Sequence, residues 1–163
     1  MAAMHVTALT VALVVAALPT IQALSCPGPF KALANKWCVV AIINRSNTSL
    51  HSWNSARSDC QNMAGDLIIL EDHDKMRAVS NYLDSFAERL STYPCWVGGN
   101  NFSGVWKWVD GRPMSQLSHL WAPEEPVNSS TQGTLYTLLV RMRKRRYMVS
   151  ASDYTIPGYI CET

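Results

Sequence analysis

Residues 93–111 restrict the fold of this chain more than any other stretch, because three of its six tryptophans fall there. The run Cys95-Trp96-Val97-Gly98-Gly99 is followed by the turn-forming Asn100-Asn101-Phe102-Ser103-Gly104. Next comes Val105-Trp106-Lys107-Trp108-Val109-Asp110-Gly111. Two short apolar runs around an Asn/Ser/Gly turn predict a β-hairpin. Trp106 and Trp108 alternate with Val105, Lys107 and Val109, so both indoles fall on one face of their strand. Indoles dominate the energetics of a small core. The remaining elements are therefore expected to pack on this pair of strands.

The chain has 163 residues, 48% of them hydrophobic and 16% charged, which suits a single globular domain. The formal charge of +2 gives it no overall polyelectrolyte character. Residues 6–18 form an apolar run too short for a membrane span and followed by small residues. Residues 1–23 read as a signal peptide, cleaved after Ala23 or Ser25, and residues 24–163 as the domain. The expectation is a secreted, extracellular product with no membrane span. Five cysteines then meet an oxidising compartment: Cys26, Cys38, Cys60, Cys95 and Cys161. Disulfides are favoured there, and the lack of a Cys-x-x-Cys pair argues against a zinc ribbon. The odd count leaves one thiol over. Sequons at Asn44, Asn47, Asn101 and Asn128 fall in expected turns and are candidate glycosylation sites.

In chain order, residues 37–43 (Trp-Cys-Val-Val-Ala-Ile-Ile) predict a strand, and Cys26 lies near enough to Cys38 to staple a terminal hairpin. Ser52 is a candidate N-cap for a helix whose stripe is Trp53, Ala56, Cys60 and Met63, with Gly65 ending it. A second helix starts near Asp72. Its buried face is Met76, Val79, Leu83, Phe86 and Leu90, and its wet side includes Asp74, Lys75, Arg77, Asp84, Glu88 and Arg89. Residues 112–133 carry no period and predict a long loop, of a length that is usually functional or disordered. Strands are expected at 134–141 and 147–151, and at the terminal Gly158-Tyr159-Ile160-Cys161-Glu162.

These residues resemble the C-type lectin-like domain. Trp53-x-x-Ala56-x-x-x-Cys60 is similar to the family's first-helix signature, and Cys95-Trp96-Val97-Gly98-Gly99 to its central Trp-Ile-Gly-Leu strand. Trp106-x-Trp108-x-Asp110-Gly111 resembles the following strand. Trp121-x-x-x-Glu125-Pro126 resembles the start of the sugar-binding loop, and the last five residues quoted above resemble the closing strand. The resemblance runs from about Cys26 to the end. It implies an α+β fold with two helices packed on antiparallel sheets and a long loop region. It also implies a Cys60–Cys161 bridge, worth ~4.7 kcal/mol for a loop of ~100 residues in the chain-entropy model, and an additional Cys26–Cys38 bridge. The family's second core bridge would join positions near Leu139 and Asp153, and neither is cysteine. Cys95 is then free, either a buried thiol or an intermolecular bridge, with burial favoured. By general likeness the chain resembles the short secreted lectins of arthropod innate immunity.

The family's sugar site is a Ca2+ held by oxygens, six to eight of them. Its loop motif is Glu-Pro-Asn or Gln-Pro-Asp; here it reads Glu125-Pro126-Val127, with Asn128 one residue late. The family's Trp-Asn-Asp falls on Met148-Val149-Ser150, which lacks both donors. Glu125 is the one clear metal ligand left, with Glu124 and Asp153 as candidate helpers, so calcium is a degraded cofactor at most. The other candidate surface is Arg141-Met142-Arg143-Lys144-Arg145-Arg146. Placed at a hairpin tip, its five cations would attract sulfated, phosphorylated or carboxylated polymers. The same run reads alternatively as a solvated turn or a dibasic cleavage site. Catalysis is not expected, since no Gly-x-Ser-x-Gly, His-Glu-x-x-His or phosphate loop is present. Nucleic acid is not expected for want of interleaved aromatics. The resulting expectation is a pattern-recognition protein for glycans or anionic polymers of microbial surfaces. The alternatives are a calcium-dependent lectin and a module for protein ligands.

Overall fold

The computed structural model describes residues 22–44, 50–127, 133–156 and 158–163. A hairpin of β1 (Lys31–Leu33) and β2 (Trp37–Ile43) opens the fold. Helix α1 (Trp53–Asn62), strand β3 (Asp66–Leu67), helix α2 (His73–Asp84) and the short α3 (Glu88–Ser91) follow. Strands β4 (Cys95–Asn100), β5 (Lys107–Trp108), β6 (Tyr136–Met142), β7 (Arg145–Ala151) and β8 (Gly158–Glu162) complete it. The sheet order is β1-β2-β8-β4-β6-β7, with β3 on β8 and β5 on β4. All pairings are antiparallel except β4 with β8. The α+β reading holds, with a third helix and one parallel pairing added.

Two-residue alternation along the strands builds two cores, one on each face of the sheet. Val39, Ala41, Val97, Leu139 and Ile160 join Met76, Val79 and Leu83 of α2, together with Trp106, Trp108 and Trp121. Their strand neighbours Cys38, Val40, Trp96, Leu138, Tyr159 and Cys161 join Trp53, Ala56 and Cys60 of α1. β4 is buried along its whole length and sits inside the sheet. β5 is only a two-residue arm of the predicted hairpin, so β4 with β8 forms the wall the other elements share.

Both predicted helix starts are present. Ser52 Oγ accepts from Ser55 N at 3.2 Å and an Asp72 side-chain oxygen from Lys75 N at 2.7 Å, each satisfying an otherwise unpaired amide of the first turn. The second helix is shorter than its apolar stripe predicts, because the chain leaves it at Ser85 and re-forms as α3. Gly65 does not hold the left-handed position after α1; Ala64 does, at φ 60°. Gly65 is required by close approach instead, since a Cβ there would run into the Glu162 carbonyl oxygen. Lys75, placed on the wet side by its charge, is buried and pairs with Glu162 of β8. Disulfides join Cys26 to Cys38 and Cys60 to Cys161, and Cys95 is a buried free thiol. Among the described residues no helix is long and apolar enough to cross a membrane.

Candidate functional site

The long loop is irregular but firmly held. Trp121 bridges to Met148 of β7, Ala122 N donates to Met148 O at 2.9 Å, and Met148 N donates to Leu120 O at 2.8 Å. Trp121 Nε1 donates to Ser115 O at 3.0 Å, and its ring meets Trp106 edge-on at 5.2 Å. These bonds bring the Glu125-Pro126-Val127 segment, with a cis Glu125–Pro126 bond, against the strand carrying Met148, Val149 and Ser150.

There Glu125 and Ser150 bond to each other. Glu125 Oε2 accepts from Ser150 N at 3.0 Å, from Val127 N at 3.2 Å and from the Ser150 hydroxyl. Val127 N also donates to Ser150 Oγ at 3.0 Å. The carboxylate is thus a bracket between loop and strand. This donor set does not fit calcium, which needs six to eight oxygens. Val127, Met148 and Val149 have no side-chain oxygen, and Glu125 Oε2 is engaged by three donors. Asp153, a candidate helper, is instead engaged at the start of α1, where its Oδ1 accepts from Trp53 N at 3.0 Å. Glu124 is exposed. Among the described residues no group of three or more His, Cys, Asp or Glu could hold a metal ion. Asn128 lies outside the described residues.

The basic run divides in two, which corrects its reading as five free cations. Arg146 is buried, its side chain only 4% exposed. Nη1 donates to Ser80 O at 3.0 Å and pairs with Asp84 at 2.8 Å, and Nη2 donates to Ser91 O at 2.8 Å. Arg141 is half-buried, with Nη1 3.0 Å from Ser91 Oγ and 3.5 Å from Asp84. Both arginines therefore tie β6 and β7 to α2 and α3. The cause is the period-2 alternation of a strand, which turns one of two adjacent arginines inward. Arg143, Lys144 and Arg145 stay exposed at the tip.

Beside this tip lies a cleft of about 370 Å3, walled by one polar face of α2 with His73, Arg77 and Asn81, by His119 of the loop, and by Lys144 and Arg145. The sequence spaces the α2 members at i, i+4 and i+8, the signal of a common helical face. The partnership with His119 and the hairpin is long-range and has no such signal.

Among the sequons, Asn101 is only 3% exposed, its Oδ1 accepting from Leu135 N at 2.6 Å. Asn101 opens the turn to Gly104, as expected, but its side chain is turned into the fold. Asn44 is half-buried, and Asn47 and Asn128 lie outside the described residues.

Residues 49–163 match the family described as Lectin C-type domain. Asialoglycoprotein receptor 1 of Mus musculus is 30% identical over 82 residues, which is 50% of this chain and 26% of that protein. The chain thus spans about a quarter of that relative's length. Among solved structures, an SPL-1–GlcNAc complex aligns with a TM-score of 0.68 at 15% identity, covering 86% of this chain and 96% of that one. A calcium-independent type II antifreeze protein aligns with a TM-score of 0.65 at 19% identity, covering 88% and 97%. With its disulfide-tied helix, central Trp-Val-Gly-Gly strand and loop folded back on the penultimate strand, the chain belongs to the C-type lectin domain family.

Proposed function

We propose that this domain is a secreted, non-enzymatic recognition module that binds glycans or anionic polymers of microbial surfaces without a calcium-bridged sugar. The observation that carries the reading is the engagement of Glu125. Where a sugar-bridging ion would need several open carboxylate and amide oxygens, Glu125 Oε2 is engaged by Ser150 and the Val127 amide, and Val127, Met148 and Val149 supply no side-chain oxygen. Recognition is left to the rest of the surface, where Arg143, Lys144 and Arg145 are exposed and carry no ion pair among the described residues. A local positive field of this kind attracts sulfated, phosphorylated and carboxylated chains. The family and the expected leader support an extracellular setting, and a role in innate immunity follows if the ligands are microbial.

A glycan array that includes acidic glycans, run with calcium and with chelator, tests the reading. The expected result is binding to acidic glycans that chelator leaves unchanged and that added salt weakens. Neutral-sugar binding abolished by chelator would identify a calcium-dependent lectin instead. An array blank in both conditions would favour a module for protein ligands.

A further inference from the structure

The cleft between α2, the loop at His119 and the β6–β7 turn differs in charge from the rest of the site region. We propose that it binds a sulfate or phosphate ester carried on a sugar. The proposal rests on the anionic-polymer reading above and narrows it to one place and one chemical group.

At about 370 Å3 the cleft is large enough for a sugar ring with its ester. Four cationic side chains line it, Arg77, Lys144, Arg145 and Arg146, against the single carboxylate of Asp84. That carboxylate is already shared, its Oδ1 taking Arg146 at 2.8 Å and Arg141 at 3.5 Å. Arg77 is paired with Asp74 at 2.8 Å. Lys144 and Arg145 line the cleft and form no ion pair among the described residues. Two adjacent like charges beside a protein wall repel, and an oxyanion between them removes that repulsion. A guanidinium matches the oxygens of a tetrahedral ester in pairs, and an ammonium adds a point charge. His73 and His119 border the same space from α2 and the loop, and Asn81 offers a neutral amide suited to sugar hydroxyls.

The test is calorimetric titration of the full chain with N-acetylglucosamine 6-sulfate, mannose 6-phosphate and the two parent sugars. The expected result is that an ester binds and its parent does not. The double variant Lys144→Ser/Arg145→Ser should then lose at least about tenfold in affinity. Lys107→Ser serves as the control. Lys107 is exposed on β5 and lies outside the cleft lining. This control should stay within about twofold of wild type, because it removes only a screened surface charge outside the cleft. Ester-induced NMR shifts at His73 and His119 would place the ligand in the cleft independently of the variants. Equal losses in the control and the double variant would overturn the cleft and leave a diffuse field of the surface cations. Binding of long sulfated polymers without either monosaccharide ester would also overturn the cleft while sparing the broader reading. No binding of polymers or esters would overturn both.

Discussion

At the residue scale, two buried side chains, Arg146 and Cys95, each give a test. Arg146 is a cation used as an internal tie, satisfying the carbonyls of Ser80 and Ser91 and the Asp84 carboxylate. Replacing it with Met keeps the length but leaves two acceptors unpaired. Asp84 is half exposed, which screens its share. Arg146→Met should therefore lower stability by about 2–3 kcal/mol in urea unfolding. Arg145→Met should change it by less than about 0.5 kcal/mol. Equal effects would mean that Arg146 is not the tie. Cys95 is the second case. Burial pushes its thiol up from 9.0 to about 12, with Arg146 pulling weakly the other way. Burial, helped by the charge of Asp59 and the hydrogen bond to it, likewise raises Tyr159 from 10.0 to about 12. Between pH 9.0 and about 12 the unfolded chain loses the Cys95 proton while the folded chain keeps it. The unfolded state then binds fewer protons, so stability falls as pH rises, by up to about 1.4 kcal/mol per pH unit from Cys95. Below that window the group has no effect. Unfolding free energies measured across it should decline for wild type and decline less for Cys95→Ala. Parallel slopes would show that Cys95 ionises equally in both states.

At the scale of elements, β4 carries a tight backbone constraint. Gly98 N donates to Ile68 O at 2.8 Å, and a Cβ on Gly98 would lie 2.7 Å from the Leu67 carbonyl oxygen. That neighbour is backbone and has no rotamer to change. Gly98→Ala should therefore cost about 2–3 kcal/mol by overpacking, whereas Gly104→Ala, in open space at φ 73°, carries only the local left-handed strain. Thermal unfolding of the two variants checks the order, and a larger loss for Gly104→Ala would refute it. The same strand shows what the sequence reveals. Apolar alternation, the caps Ser52 and Asp72, and the tryptophan runs are local signals. They announce β4, α1 and α2, and the resemblance that they carry implies the α+β class. Lys75, Asn101 and Arg146 mislead because charge and sequon are also local, while burial is decided by partners far along the chain. Glu162 covers Lys75, Leu135 engages Asn101, and Ser80 and Ser91 enclose Arg146. The candidate loop is half legible. The missing donors can be read at Val127 and Met148-Val149-Ser150, but the hydrogen bonds that close Glu125 onto Ser150 arise only when loop and strand meet.

For the whole molecule, the long loop is fastened to the sheet by bonds within the chain. Trp121 is anchored at both its ring and its indole N–H, Met148 exchanges backbone hydrogen bonds with Leu120 and Ala122, and Glu125 closes the end on Ser150. If calcium completed the loop, binding would be linked to folding. Calcium at about a thousand times its Kd would add about 4 kcal/mol, and for a domain of this size each kcal/mol raises Tm by about 2–4 °C. A calcium-stabilised loop would thus raise Tm by roughly 8–16 °C. The expected outcome is a shift of less than about 1 °C between excess calcium and chelator. In contrast, Glu125→Ala in chelator should cost about 1–3 kcal/mol, because Ser150 N and the Ser150 hydroxyl lose their acceptor. A large calcium-dependent rise in Tm, abolished by Glu125→Ala, would mean that the carboxylate swings from Ser150 to an ion and that the loop is metal-organised after all.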